Sequence, residues 1–525
     1  MYPPASGGFG TYAVWHQQTA LENTLVEAWF ELRDPAAQVG LVRRDISRPF
    51  TRADVAGSLG LLDAAAGTLA IHGAWDGTNA PPPLAVQRVP FALRVGREYK
   101  LALWKTDAGH HGLGLWDTVT GERCVVGTVR RPGHDPGKQL DAPGVLVARG
   151  EVGFKRFDFS TAYPPRPRLL VFGDSNSEGE ALKPNYEARY CKQALVALGG
   201  SAVLAARGRE TTASLRTRLD HDLDRFAPEY VLVLLGTSEQ SFESWQEHLG
   251  PVLDRIVARG AVPVLATIPP ADHRAAFNRQ LNDAVRRSGR LFADFARVLG
   301  GDAEGVFWDF GLQVDGIHPN VPGNRRMFQQ LRADVPQLFA PPLPEPPPRY
   351  WQVRLLSLPA GPGAALDLPL ELTASGHENL LTFSLGWDPA LLRLSGVDRG
   401  PDLPAGARLE LAADQAALGR LGVWMELPPG QSLPHGELSL LRLRWQTAAQ
   451  PHLPATRVQF TDTPQPRLLL DFGLEAYVDG EVSFPTPHTP AAWWRLEGDT
   501  SEVANRLPAG ALTGGRWAPG REGLA

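Results

Sequence analysis

Between residues 163 and 340 four short apolar runs alternate with segments of helical periodicity, and this alternation constrains the fold more than any other feature. The runs are almost free of polar residues, as expected for strands buried on both faces of a parallel sheet. They are LLVFG, AVLAA, YVLVLLG and VPVLATI. The segments between them place apolar residues three or four positions apart, which is typical of amphipathic helices. We therefore predict a doubly wound parallel α/β domain of the flavodoxin-like type over residues 163–340.

Both flanks of this segment have the pattern of β structure instead. Short alternating segments separated by Gly, Pro and Asp recur over residues 1–162 and predict an antiparallel β-sandwich of the jelly-roll type. A proline-rich linker at 341–349 is followed by a second β pattern over 350–487, for which we predict another sandwich. Residues 488–525 are too few for a domain, so we expect them to begin a truncated module of a longer protein.

Composition excludes several classes of function. A chain of 525 residues is too long for a single hydrophobic core, so we expect several domains. Its net charge of −5 gives no electrostatic attraction to nucleic acid or to an anionic membrane. No apolar run reaches the roughly 18 residues of a membrane span. The N-terminus has no visible secretory signal. With only Cys124 and Cys191 we predict neither a disulfide framework nor a thiolate metal site, and we predict no cofactor.

Four segments rich in small and polar residues follow the predicted strands or precede the last helix. In open α/β sheets ligands bind outside the carboxyl ends of the strands, which is where three of these segments fall. Each segment alone has an ordinary interpretation as a turn or a helix cap. Their order along the chain favours a catalytic site. They are GDSNSEG (173–179), ARGRETT (206–212), GTSEQ (236–240) and DGIHPN (315–320).

In these segments the chain resembles the SGNH hydrolases, also called GDSL esterases and lipases. The first block of that family is matched at 173–175, and its Asp-x-x-His-Pro block is matched at 315–319, with a glycine following at Gly323. The resemblance implies acyl transfer in which Ser175 attacks an ester carbonyl, His318 moves the proton, and Asp315 orients the imidazole.

The resemblance also implies an oxyanion hole, and here the sequence departs from the family. The donors would be the N–H of Ser175, an N–H of the second block at Gly208, and the side chain at Ser238, where the family has asparagine. Arg209 is the alternative to Gly208, because a gapless match places it on the family's glycine. Since a hydroxyl is a poorer fixed donor than an amide, we expect slow or altered catalysis.

The flanking regions resemble known modules as well. Residues 1–162 resemble concanavalin-like or laminin-G-like modules, as do 488–525, and residues 350–487 resemble cohesins through the turn at Asp388, Pro389 and Leu392. These resemblances imply an extracellular or cell-surface protein, an acylated carbohydrate as substrate, and a dockerin-like or surface partner for 350–487. The alternative hypothesis is a non-catalytic glycan-binding, adhesion or scaffold protein with a degenerate SGNH domain. A lipase or thioesterase is a narrower variant of the enzyme hypothesis.

Three further features have ordinary interpretations. His110 and His111 are predicted to be exposed residues of a β-turn. The acidic segment LDHDLDRF (219–226) is predicted to be the solvated face of a helix, since it lacks the pattern of a calcium loop. Trp308 either packs in the core or lines an acyl pocket.

Overall fold

The computed structural model describes most of the chain in eleven segments. They are residues 11–14, 23–45, 57–73, 82–106, 110–129, 141–182, 185–302, 304–376, 378–428, 431–469 and 473–484. The predicted fold class is confirmed: sheet-rich N-terminal and C-terminal regions flank a parallel α/β sheet. The predicted module at 488–525 lies outside the described residues.

The N-terminal region consists of two antiparallel sheets. Alternating burial along the strands places one set of apolar side chains between the sheets, where Phe30, Leu41 and Leu113 are fully buried. The sheet orders are β1-β10-β3-β4-β5-β6 and β11-β2-β7-β8-β9, for strands β1 Thr11–Val14, β2 Thr24–Leu32, β3 Gln38–Asp45, β4 Gly57–Asp63, β5 Thr68–Gly73, β6 Pro83–Arg88, β7 Glu98–Lys105, β8 His110–Asp117, β9 Arg123–Val129, β10 Asp141–Arg149 and β11 Val152–Thr161.

The central region is a five-stranded, fully parallel sheet with helices between its strands. Its strand order is β13-β12-β14-β15-β16, for strands β12 Leu169–Gly173, β13 Ala202–Leu204, β14 Tyr230–Leu234, β15 Val262–Ala266 and β16 Leu291–Ala293. Its helices are α1 Ser175–Glu178, α2 Tyr190–Ala197, α3 Thr212–Leu215, α4 Leu219–Phe226, α5 Phe242–Ala258, α6 Ala275–Arg286, α7 Phe295–Leu299 and α8 Val321–Asp334. Because the chain leaves β12 toward β13 on one side and then crosses to β14 on the other, the sheet has a topological switch point at the carboxyl end of β12.

The C-terminal region again has two sheets with an apolar interior, where Trp445 and Phe383 are fully buried. One sheet has the order β21-β24-β19-β17-β27, and the other follows β18-β28-β25-β20-β23-β22 with β26 paired to β20. The strands are β17 Tyr350–Leu355, β18 Leu358–Pro359, β19 Ala365–Ala374, β20 Leu380–Gly386, β21 Leu392–Arg399, β22 Arg408–Ala412, β23 Arg420–Glu426, β24 Gly436–Thr447, β25 Ala455–Thr461, β26 Leu468–Leu469, β27 Leu474–Val478 and β28 Gly480–Ser483.

The three regions pack against one another through apolar and charged contacts. The core of the central sheet extends to Trp104 of the N-terminal region and to Leu474 of the C-terminal region. At the same junction the His110 ring lies 3.1 Å from a Glu475 oxygen through Nδ1 and 3.3 Å from Asp462 through Nε2. The Lys192 ammonium of α2 donates to the Glu475 carbonyl. A buried ionic cluster therefore joins all three regions.

This junction corrects one sequence-based expectation. His110 and His111 begin strand β8 and are only 3% and 6% exposed. The prediction of an exposed turn was wrong because both residues pair with neighbouring strands of the sheet, and because Glu475 and Asp462, far along the chain, contact His110. In helix α4, Asp220 is half-exposed beside Arg255 and Arg259, whereas Asp222 is buried against Arg218.

No helix in the described part of the chain is long and apolar enough to cross a membrane.

Candidate active site

Ser175 lies at the switch point, at the first position of helix α1. The preceding residue, Asp174, caps this helix, because its Oδ1 accepts a hydrogen bond from the N–H of Asn176 at 3.0 Å. The helix ends after a single turn at Gly179, whose φ of +79° is the left-handed conformation that glycine adopts at helix ends. This strand–turn–helix arrangement holds Ser175 at the edge of the sheet while leaving it only 7% exposed.

Two further side chains form a continuous hydrogen-bonded line with Ser175. His318 Nε2 lies 2.9 Å from Ser175 Oγ, and His318 Nδ1 lies 2.8 Å from Asp315 Oδ2. The other Asp315 oxygen accepts hydrogen bonds from the N–H groups of Ile317 and His318. The structure thus brings together the three residues that the sequence placed in two distant motifs.

The loop that carries Asp315 and His318 is braced by hydrogen bonds within itself. The Val314 N–H donates to the His318 carbonyl at 3.0 Å, and the Trp308 indole N–H donates to the Gly316 carbonyl at 2.9 Å. Gly323 in α8 packs closely beneath the loop, because a Cβ there would lie 2.5 Å from the Leu312 carbonyl oxygen. Trp308 is therefore a support of the loop, a role that its position in the sequence did not indicate.

The second block forms a tight turn beside Ser175. The Arg207 N–H donates to the Gly173 carbonyl at 2.8 Å. The Glu210 N–H donates to the Arg207 carbonyl at 3.0 Å and closes the turn. The left-handed residue of the turn is Arg209, with φ of +63°, and not Gly208. A non-glycine residue in this conformation costs about 1–2 kcal/mol. The N–H groups of Gly208 and Arg209 donate to no acceptor among the described residues.

The third block follows strand β14 and is tied to the first. Gly236 is required there, because its φ is +152° and a Cβ would lie 2.5 Å from a Leu281 methyl carbon. The Asn176 amide donates to Thr237 Oγ1 at 3.1 Å, which connects the two blocks. Ser238 is half-buried, and its hydroxyl pairs with no group in the described part of the chain.

Arg274, which lies outside the motifs, and a contact between Thr212 and Glu239 hold the second and third blocks in place. The Arg274 guanidinium donates to the carbonyls of Thr237 and Glu239 at 2.8 and 2.7 Å. The Glu239 carboxylate accepts from the N–H and the hydroxyl of Thr212, at 2.5 and 2.7 Å. Sequence reasoning missed Arg274, since it lies in a short helical segment with no motif of its own.

The carboxylates of the site differ in their ionisation. Burial raises the pKa of Asp174 to about 6, although hydrogen bonds from Asn176 and Thr237 oppose that rise. Partial burial acts in the same direction on Asp315, but the hydrogen bonds from His318 and Ile317 outweigh it and lower the pKa of Asp315. Asp315 is therefore a carboxylate at neutral pH and accepts the His318 Nδ1–H.

Metal chemistry has no candidate ligand set in the segments that the structure describes. No group of three or more His, Cys, Asp or Glu side chains there is arranged to hold a metal ion.

The arrangement around Ser175 is one in which a hydroxyl can be deprotonated by a neutral imidazole, which is the first requirement of acyl transfer.

Comparisons with known proteins agree with this geometry. The model of the GDSL-like Lipase/Acylhydrolase family matches residues 171–326, and this part of the chain is a domain of that family. No curated protein matches the chain.

Solved structures resemble separate parts of the chain. The crystal structure of TesA is 22% identical, and the match covers 32% of this chain and 98% of TesA with a TM-score of 0.28. A cohesin of OlpC from Clostridium thermocellum, solved in complex with a dockerin, is 15% identical over 26% of this chain and 94% of its own, with a TM-score of 0.23. A non-cellulosomal cohesin from the archaeon Archaeoglobus fulgidus is 10% identical over 26% and 93%, with a TM-score of 0.20.

Proposed function

We propose that residues 163–340 form a serine esterase that removes short acyl groups, such as acetyl, from carbohydrate. The observation that carries the proposal is the line from Ser175 Oγ through His318 to Asp315, with contacts of 2.9 and 2.8 Å at the switch point of the sheet. A carboxylate on Nδ1 fixes the imidazole tautomer in which Nε2 is free to accept a proton.

The first half of the reaction forms an acyl-enzyme. Ser175 Oγ attacks the ester carbonyl carbon as its proton passes to His318 Nε2, and the carbonyl oxygen becomes an oxyanion. When this tetrahedral intermediate collapses, the bond to the alcohol oxygen breaks and the same proton passes from Nε2 to the leaving alcohol. Asp315 stabilises the imidazolium that exists between these two transfers.

Water completes the cycle through the same groups. His318 Nε2 takes a proton from a water molecule, whose oxygen attacks the acyl carbon. Collapse of the second intermediate breaks the bond to Ser175 Oγ, which regains its proton from His318 and releases the carboxylic acid. No cofactor enters either half.

Three donors are proposed for the oxyanion. The first is the N–H of Ser175, at the beginning of α1. The second is the N–H of Gly208 or of Arg209, and neither of these two groups donates to an acceptor among the described residues. The positive φ of Arg209 supports the match of Arg209 to the family's glycine, whereas the other match places Gly208 there. Gly208 and Arg209 therefore remain alternatives for the second donor. The third is the hydroxyl of Ser238. Because removal of one fixed donor costs about 10²–10³ in rate, we expect a serine at 238 to give a slower enzyme than an asparagine would.

Labelling with a fluorophosphonate probe tests the proposal directly. We expect an adduct on Ser175, located by mass spectrometry of the peptide, that is lost in His318→Ala and retained in His452→Ala, a variant of an exposed histidine in the C-terminal region. Absence of the adduct, or an adduct on Ser177 instead, would refute the proposal.

The rival hypothesis is a degenerate, non-catalytic domain in a glycan-binding or scaffold protein. The substitutions at Ser238 and Arg209 favour it, because both alter oxyanion positions. Glycan binding without labelling of Ser175 would support it over the esterase.

A partner and a location are proposed from the sequence resemblance of residues 350–487 to cohesins. We propose a dockerin-like partner for this region and an extracellular or cell-surface location. A mobility shift of the whole chain on native gels with an added dockerin would support the partner, and no shift across a panel of dockerins would count against it.

A further inference from the structure

The turn of the second block presents positive charge beside the site. Arg207 is half-buried and Arg209 is exposed, and neither forms an ion pair with any described residue. The carboxylate of this turn, Glu210, is buried and bound by the Arg218 guanidinium, which also contacts Asp222 at 2.7 Å. The charges that the turn offers to solvent are therefore both cationic, in a chain whose net charge is −5.

The position of this turn places it within reach of a substrate. The Arg207 N–H is bonded to the Gly173 carbonyl, two residues before Ser175, and Thr212 is bonded to Glu239 of the third block. The segment from 207 to 212 thus lies between the first and third blocks, next to the strand end that carries Ser175. We expect a group attached near the reacting ester to lie close to this segment.

Backbone strain at Arg209 is a second and independent observation. The φ of +63° suits glycine, and glycine is what the related family has in the gapless match. Strained residues of this kind cluster at functional sites. The function that we expect of an exposed arginine there is binding of an anion.

We infer that Arg207 and Arg209 form an anion subsite that recognises a carboxylate on the substrate, so that the preferred esters are acyl esters of acidic sugars. The inference rests on the proposed function and adds the charge of the substrate to it. The planar guanidinium matches a carboxylate with two parallel hydrogen bonds, so we expect uronic acids to be preferred over neutral sugars.

Matched esters that differ in one charge test the inference. The substrates are the mono-O-acetyl esters of methyl glucuronoside and methyl glucoside, which differ only by a carboxylate or a hydroxymethyl group at C6. We expect kcat/KM to favour the uronoside, and Arg207→Gln and Arg209→Gln each to lower that preference by about tenfold or more, mainly through KM. Added salt should reduce the preference of the unchanged protein.

Two further variants separate recognition from folding. Arg209→Gly removes the guanidinium while relieving the backbone strain, so a stable protein that has lost the preference identifies the side chain as its source. Arg290→Gln removes an exposed arginine at the amino end of β16, the opposite edge of the sheet, and should leave both substrates unchanged. Equal losses on both substrates in the Arg207 and Arg209 variants, or no loss, would overturn the inference.

Binding distinguishes failure of the inference from failure of the proposed function. Calorimetric titration of the Ser175→Ala protein with methyl glucuronoside requires no catalysis. Suppose that the uronoside binds, that Arg209→Gln abolishes this binding, and that the unchanged protein hydrolyses no ester. That result would support the subsite and refute the esterase. Hydrolysis of both esters without preference, together with no binding of the uronoside, would refute the subsite and retain the esterase.

Discussion

The carboxyl edge of the central sheet and the junction of the three regions each contain a histidine that is contacted through both ring nitrogens. At the sheet edge, His318 lies between a carboxylate at 2.8 Å and the Ser175 hydroxyl at 2.9 Å, and its side chain is 14% exposed. At the junction, His110 lies between two carboxylates at 3.1 and 3.3 Å, and its side chain is 4% exposed.

The second partner of each ring determines what the histidine can do. Although burial opposes protonation of His110, the charges of Glu475 and Asp462 raise its pKa to about 9, so this imidazolium is a permanent cation at neutral pH. The second partner of His318 is the Ser175 hydroxyl, which has a proton to give, and this is the arrangement that proton transfer to the ring requires. We therefore expect similar geometry to serve proton transfer at one site and stability at the other.

The largest expected effect comes from removing the Asp315 carboxylate at the carboxyl edge of the central sheet. Asp315→Asn should lower kcat for a short-chain ester by about 10⁴, because the amide favours the wrong imidazole tautomer, with little change in melting temperature. The measurement is kcat on an aryl acetate alongside a thermal unfolding curve.

The matched control at the junction is Asp462→Asn. It should lower the melting temperature and leave kcat of the folded protein nearly unchanged. If both variants lose kcat to the same extent, the separation between the catalytic and structural histidines is wrong.

A smaller effect, on stability alone, is expected for His110→Gln. This change removes the cation that contacts the Glu475 carboxylate, and breaking such a buried ion pair costs about 3–5 kcal/mol of unfolding free energy. Chemical denaturation of the whole chain measures it, with His318→Gln as the histidine control. Equal unfolding free energies for the His110→Gln and unchanged proteins would show that the junction does not depend on this charge.

The grouping of side chains at the carboxyl edge of the central sheet could be predicted from sequence because its signals are local. Ser175, Asp315 and His318 each lie in a short motif, and the topology of a parallel sheet brings strand ends to one edge. The structure brings these three side chains together, and their roles stay a prediction. The strain at Arg209 could not be anticipated, since a φ angle depends on the hydrogen bonds that close the turn.

The junction could not be predicted, for a physical reason. His110 and Glu475 are separated by 365 positions in the chain, and their contact depends on how the C-terminal region docks onto the N-terminal region. The hydrophobic pattern of residues 98–117 does not indicate where the C-terminal region docks. Two histidines beside a glycine were therefore expected to be exposed.

The pH dependence of stability provides the finest test of the comparison. Because folding raises the pKa of His110 from 6.5 to about 9, its stabilising effect is complete below pH 6.5 and is lost as pH rises through 9. The unfolding free energy of the unchanged protein should therefore fall between pH 6.5 and 9, and the difference from His110→Gln should shrink over the same window. Asp174 does not interfere, since its raised pKa lowers the unfolding free energy between about pH 4 and 6 and its effect is nearly constant above that range. Denaturation at half-unit steps of pH measures this difference, and a difference that stays constant across the window would mean that His110 is not the titrating group.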